Sequence, residues 1–237
     1  MHAERFRDRV VLFDIDGTLV RTDGAGGRAL NAAWCELFGE RDAFDGISFV
    51  GGTDEKILDQ VFLRWREHVG SQPDRQALLE RYLQFLPGEI ARGTYTVNPG
   101  VREALAALAN QEGVAVGLAT GNVEAAARMK LTPGGLNSHF SFGGYGSDAR
   151  ERADLTEIAV QRAEDHLGRS VPRDRVVVVG DSIHDIRAAQ AIGARSVAVC
   201  TGWTPSDVLK TERPTLLKES LDPGGDWLRE LHLLDDA

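Results

Sequence analysis

Apolar residues along the chain fall into two regimes. From about Leu19 to Ala91 they recur at three- and four-residue spacing: Leu30, Ala33, Trp34, Leu37 and Phe38, then Ile57, Leu58, Val61, Phe62 and Trp65, then Leu78, Leu79, Tyr82, Leu83 and Leu86. That period predicts amphipathic helices, with no strand among them. Gly46 and the pair Gly51 and Gly52 mark breaks between the helices. After Thr96 short continuous apolar runs alternate with helical stretches. VAVGLAT, VVVVG, SVAVC and PTLLK predict strands, and FSFGGYG a short strand followed by a Gly-rich loop. PGVREALAALANQ, with Pro99 at the first helical position, NVEAAARMKL, Asp154 to Leu167, Asp185 to Ala191 and DWLRELHLL predict helices.

Val10 to Phe13, VVLF, has the strand texture of the second regime yet precedes the first. Continuous β-branched runs suit a parallel sheet covered on both faces, and alternation of strand with helix implies right-handed crossovers. The expected fold class is therefore α/β: a doubly wound parallel sheet, a Rossmann-like core of residues 1–18 and 96–237, with a small all-helical cap domain, residues 19–95, inserted after the first strand. Two segments, near Leu19 to Gly24 and Thr94 to Pro99, are expected to join cap to core. Trp34, Phe38, Phe62 and Trp65 are expected to form the cap's own core.

Composition changes this picture little. Of 237 residues 42% are apolar and 27% charged, as in ordinary globular proteins. A formal net charge of −9 argues against nucleic acid or an anionic membrane as a partner. The two cysteines, Cys35 and Cys200, have no metal-binding spacing and read as free thiols of a reducing compartment. No apolar run suits a signal peptide or a membrane span, so a cytoplasmic protein is expected.

Three predicted strands end in polar clusters: FDIDGT, LATGN and VGDSIHDI. Ligands of open α/β sheets bind beyond the carboxyl ends of the strands, where all three clusters fall. Asp14 and Asp16 are two residues apart and project to the same side of an extended chain, and Gly17 permits a sharp turn after them. Thr120, Gly121 and Asn122 combine a hydroxyl, a flexible glycine and a helix start, which together suit a phosphate; Asn122 is equally placed to cap that helix. Asp181 and Asp185 can face one cation from the same side, and hard oxygen ligands of this kind suit Mg²⁺. Asp181 or Ser182 is also placed to cap the next helix, and His184 reads as a loop residue.

In their order, FDIDGTL, LATGN and VVVVGDSIHDI resemble motifs one, two and four of the haloacid dehalogenase superfamily. The helical insertion after the first motif is similar to that of its phosphoglycolate phosphatase-like branch. The resemblance implies a Mg²⁺-dependent phosphatase of a small phosphorylated metabolite, acting as monomer or homodimer. It implies that Asp14 attacks phosphorus to form an aspartyl-phosphate, that Asp16 is acid and then base, and that Thr120, with Gly121 and Asn122, binds the phosphoryl group. Asp14, the backbone carbonyl of Asp16, and Asp181 would hold the metal, with Asp185 orienting its ligands. The third motif departs from the family, because no Lys-Pro pair occurs and the only lysines are Lys56, Lys130, Lys210 and Lys218. Arg152 comes first for its cation, then Arg150, then Lys130. In the cap, Gly51, Gly52, Thr53 and Asp54 are placed to reach the substrate, though Thr53 equally suits a helix N-cap. A phosphomutase of the beta-phosphoglucomutase type uses the same residues. A haloacid dehalogenase is disfavoured by Asp16, since halide departure needs no proton donor, and a non-catalytic binding module by the presence of both acids.

Overall fold

Strand β1, Arg9–Phe13, is buried along its whole length. Its alternate side chains serve two layers. Val11 and Phe13 pack with α4, Val101–Ala109, and α5, Glu124–Leu131. Val10 and Leu12 pack on the other face against Leu155, Ala159 and Val160 of α6, Arg152–Leu167. Both faces are therefore covered, which is why the strand shows no alternation of polar and apolar residues. The computed structural model describes residues 8–222 and 226–233. Residues 1–7, 223–225 and 234–237, which include both ends of the expected core and Leu234 of the expected last helix, lie outside it.

The sheet has six strands in the order β5-β4-β1-β6-β7-β8, every neighbouring pair parallel. They are β4, Val114–Thr120; β5, Gly143–Tyr145; β6, Val176–Gly180; β7, Arg195–Val199; and β8, Leu216–Lys218. β4, β6 and β8 lie within the runs expected to be strand and β7 begins one residue before its run, whereas β5 forms from the glycines expected to be loop after FSF, because they pair in register with Leu118 to Thr120. Helix α7, Ile183–Ala191, follows β6 and packs on α6 and β7. Pro99 is not the first residue of α4: Gly100, at φ 79°, makes the turn into the helix. The expected helix DWLRELHLL stops at Glu230, and the left-handed backbone of His232, φ 51°, follows it.

Between β1 and α4 lie α1, Ala25–Phe38, α2, Asp54–Arg66, and α3, Gln72–Arg92. Trp34 is buried among them, its ring 4.4 Å from that of Phe38 and 4.9 Å from that of Phe62. Trp65 is not part of this core. It is 39% exposed, and its indole N–H donates to the carbonyl of Ala43, which keeps the ring at the surface. The same apolar cluster takes in Val123 and Ala126, so the three helices rest on α5. On either side of them the chain pairs with itself: β2, Val20–Arg21, runs antiparallel to β3, Thr96–Val97. β2 thus falls in a stretch expected to hold no strand, because two residues are too short to show a period. Among the described residues no helix is long and apolar enough to cross a membrane.

Candidate active site

Because β4, β1 and β6 are neighbours and parallel, Thr120, Asp14 and Asp181 reach the same edge of the sheet. The chain after β1 turns back sharply: Leu19 and Val20 both donate backbone N–H groups to the carbonyl of Ile15. Gly17, at φ 82°, makes that turn possible, and a Cβ there would come within 2.5 Å of an Asp181 carboxylate oxygen. Asn98 and Thr201 hold the loop from outside. The Asn98 amide donates to the carbonyls of Gly17 and Thr18 at 2.8 and 2.9 Å, and the Thr201 hydroxyl to that of Gly17 at 2.7 Å.

Three buried carboxylates meet here. Asp14, Asp181 and Asp185 each offer an oxygen within 4.8 Å of the others. One nitrogen of Arg152, Nη2, lies 2.8 Å from Asp14 and 2.5 Å from Asp185. The other Asp185 oxygen accepts from the Ser182 backbone at 3.1 Å and its hydroxyl at 2.7 Å, closing a capping box at the start of α7. Ser182, and not Asp181, is thus the helix cap. Asp181 accepts from the Thr18 hydroxyl at 3.3 Å.

Burial pushes the Asp14 carboxyl up to about 6; Arg152 pulls it down, while Asp185 and Asp16 push it further up. Asp181 is raised well above the ordinary range, first by burial and then by the charges of Asp14 and Asp185. Burial alone would lower Arg152, but Asp14 and Asp185 outweigh it and hold the guanidinium charged. One guanidinium thus faces three desolvated carboxylates, and the unbalanced negative charge fits a divalent cation with hard oxygen ligands. Both Asp185 oxygens are engaged. Asp14 and Asp181 line the open cleft, so these two are the carboxylates that could hold a cation, with Asp185 behind them.

Asp16 looks the other way. Its Oδ2 accepts from Lys130 Nζ at 2.7 Å and from the Asn122 amide at 2.9 Å. Asn122 is not a helix cap, because Val123 occupies that position of α5. Its side chain instead joins three groups: Asp16, the Thr120 hydroxyl at 2.8 Å, and Lys130, which donates to its Oδ1 at 2.6 Å. Thr120 is fully buried behind Asn122, while Gly121 and Asn122 line the cleft.

The three basic candidates are thereby separated. Arg152 serves Asp14 and Lys130 serves Asp16. Arg150 turns away from the acids to pair with Asp59 and Glu55 on the α2 side. Gly52 lines the cleft. Thr53 does not: it is buried, caps α2 by accepting from Lys56 N at 3.4 Å, and donates to the Arg150 carbonyl at 3.0 Å. Asp54 is buried beside it, with its carboxylate on the Val123 N–H at 2.8 Å and its own N–H on the Gly121 carbonyl at 2.8 Å. The cleft has a volume of about 1120 Å³. Its outer wall is the loop before α2, with Phe44, Ile47, Phe49 and Val50, and its mouth carries Arg21 and Trp203.

Sequence reasoning left several of these residues without a task. Thr18, Asn98 and Thr201 show only as small polar residues beside glycine or proline, with nothing to mark the distant loop they secure. Asp54, expected to reach the substrate, does line the cleft, but nothing in the sequence marks its bond to the distant Val123 N–H.

The family model for haloacid dehalogenase-like hydrolases matches residues 9–193. The phosphoglycolate phosphatase of Agrobacterium fabrum (strain C58) is 26% identical over 213 residues, which cover 89% of this chain and 88% of that protein. Among solved structures, CbbY from Rhodobacter sphaeroides in complex with phosphate has a TM-score of 0.68 at 20% identity, over 90% of this chain and 95% of that one. A Bacteroides vulgatus protein provisionally described as a beta-phosphoglucomutase has a TM-score of 0.67 at 20% identity, over 99% and 94%.

Proposed function

The chain belongs to the haloacid dehalogenase-like hydrolases, and we propose that within that family it is a Mg²⁺-dependent phosphatase of a small phosphorylated metabolite. The observation that carries this reading is the meeting of Asp14, Asp181 and Asp185 around Arg152 at the mouth of a cleft. When bound at these carboxylates, Mg²⁺ offsets the repulsion between an anionic nucleophile and an anionic phosphoryl group.

The chain's own residues then divide the work. Asp14 attacks phosphorus, the bond to the leaving alcohol breaks, and an aspartyl-phosphate forms. Asp16 gives a proton to the departing oxygen and afterwards takes one from the water that attacks the intermediate. Arg152 neutralises charge on Asp14 and on the phosphoryl group as it transfers. The Thr120 hydroxyl oxygen accepts two N–H bonds from Asn122, which leaves its proton to be donated to a phosphoryl oxygen. The helices α1–α3 act as the cap, and the apolar wall of Phe44, Ile47, Phe49 and Val50 keeps water from the leaving group. Free thiols at Cys35 and Cys200 suit a cytoplasmic setting.

Phosphate release from p-nitrophenyl phosphate with Mg²⁺ tests the reading. The wild type is expected to turn over, and Asp14→Asn to lose activity entirely. Phosphatase activity that survives in Asp14→Asn sinks it. The fold shared with the beta-phosphoglucomutase-like neighbour favours one alternative, a mutase, which would convert a sugar phosphate to its isomer without releasing phosphate.

A further inference from the structure

The site holds two buried cations where the chemistry of the phosphoryl group calls for one. Arg152 is spent on Asp14 and Asp185. Lys130 is only 5% exposed, and its ammonium donates to Asp16 Oδ2 at 2.7 Å and to Asn122 Oδ1 at 2.6 Å. The Asn122 amide donates to the same Asp16 oxygen at 2.9 Å. Asn122 and Lys130 therefore grip one oxygen from two directions and brace each other. Among the described residues nothing bonds the other oxygen, Oδ1, and the Asp16 side chain keeps 29% exposure at the cleft.

From this we infer that Lys130 is a positioning residue for Asp16. Together with Asn122 it tethers Oδ2 and so turns Oδ1 toward the oxygen of the leaving group. A free aspartate has two χ angles and several rotamers, and a tether that selects one of them places the proton donor within reach of the leaving oxygen. The surroundings of Lys130 agree with a fixed position. Gly26 of α1 packs on the ammonium, and a Cβ there would meet Nζ at 3.5 Å in ordinary van der Waals contact. The role differs from that of a phosphate-binding lysine, because it acts through Asp16 and matters only where a leaving group needs a proton.

The inference rests on the phosphatase reading, and leaving-group dependence tests it separately. kcat/KM is measured for Lys130→Met with p-nitrophenyl phosphate, whose leaving group departs unprotonated, and with 2-phosphoglycolate, whose alkoxide does not. A loss on the order of 100-fold is expected for 2-phosphoglycolate, the scale of general acid catalysis. The loss on p-nitrophenyl phosphate should be less than about 5-fold. Equal losses on both substrates would overturn the inference and make Lys130 a phosphate ligand or a structural residue. If Lys130→Met fails to fold by circular dichroism, Lys130→Arg, which keeps the charge but replaces the compact ammonium with a planar fork, is measured on the same two substrates, and the same ratio decides. A wild type that releases phosphate from neither substrate refutes the phosphatase reading instead. Where the wild type turns over both, only the ratio bears on Lys130.

Discussion

The guanidinium of Arg152 lies 2.8 Å from the carboxylate of Asp14, although one residue opens α6 and the other follows β1. Both are buried, so neither charge is solvated if the other is removed. Arg152→Ala would leave Asp14 and Asp185 uncompensated, a change that typically costs about 3–5 kcal/mol in a metal-free protein. We expect kcat to fall by ~100-fold or more, the scale of losing one donor to a developing oxyanion. Arg150→Ala is the control, since Arg150 pairs with Asp59 and Glu55 away from the acids. Its kcat should stay within about 3-fold of wild type, as for loss of a half-exposed ion pair. Steady-state kinetics of the two variants with p-nitrophenyl phosphate make the comparison.

Mg²⁺ should stabilise the fold. At ~100 times its dissociation constant a ligand adds about 2.7 kcal/mol, which in a domain of this size raises Tm by about 5–10 °C. Asp181→Asn should reverse the order of the effects. The metal-free variant melts higher than wild type, because a carboxylate that burial penalises is gone. The rise on adding Mg²⁺ shrinks to less than about 2 °C. Differential scanning fluorimetry with and without the ion reads both, and an undiminished shift in Asp181→Asn would argue against its role as a ligand.

Close backbone approaches add to the side-chain bonds between the loop before α2 and the sheet. A Cβ on Gly51, at φ 62°, would lie 2.6 Å from the Ser182 hydroxyl and 2.9 Å from the His184 Cβ, and one on Gly121 would collide with the Gly52 carbonyl. Gly121→Ala therefore holds the loop before α2 away from the site. We expect KM to rise and kcat to fall together, as for changes that hinder closure. Unchanged kinetics would mean that the loop does not need this contact during turnover.

Asp54 makes stability depend on pH. Burial raises its carboxyl to about 6, against pulls from Lys130 and the Val123 N–H. The folded form holds the proton more tightly than the unfolded chain. Its contribution is therefore present below about pH 4 and is lost as pH rises through about 6. Asp54→Asn keeps an acceptor for Val123 and removes the titration. It should be more stable than wild type by about 2–3 kcal/mol at pH 8, with the difference vanishing near pH 4. Urea unfolding at the two pH values measures it.

Much of the core was visible in the sequence because its strands are continuous apolar runs and its acids sit directly after them. VVVVG can only be a doubly covered strand, and Asp181 follows it. The motif order also points to Arg152, which opens α6. What stayed hidden depends on distance in space and not along the chain. Lys130 ranks only third for the missing cation by position, and nothing along the chain marks that its ammonium is buried against Asp16, on α5 beneath the helices α1–α3. Asn122 suits a phosphate site or a helix cap equally by sequence, but Val123 takes the cap position and leaves its amide free for Asp16. Trp65 fits the aromatic stripe by spacing yet is 39% exposed, its indole N–H held on the Ala43 carbonyl.

The central claim is that Asp14 receives the phosphoryl group, and trapping that adduct tests it most directly. Wild-type protein is mixed with Mg²⁺ and radiolabelled phosphomonoester, quenched in acid within one turnover, and digested. The account predicts label on the peptide that contains Asp14, labile to hydroxylamine as an acyl phosphate must be, and none in Asp14→Asn. Phosphate release without any such label, or an equal label in Asp14→Asn, would contradict it.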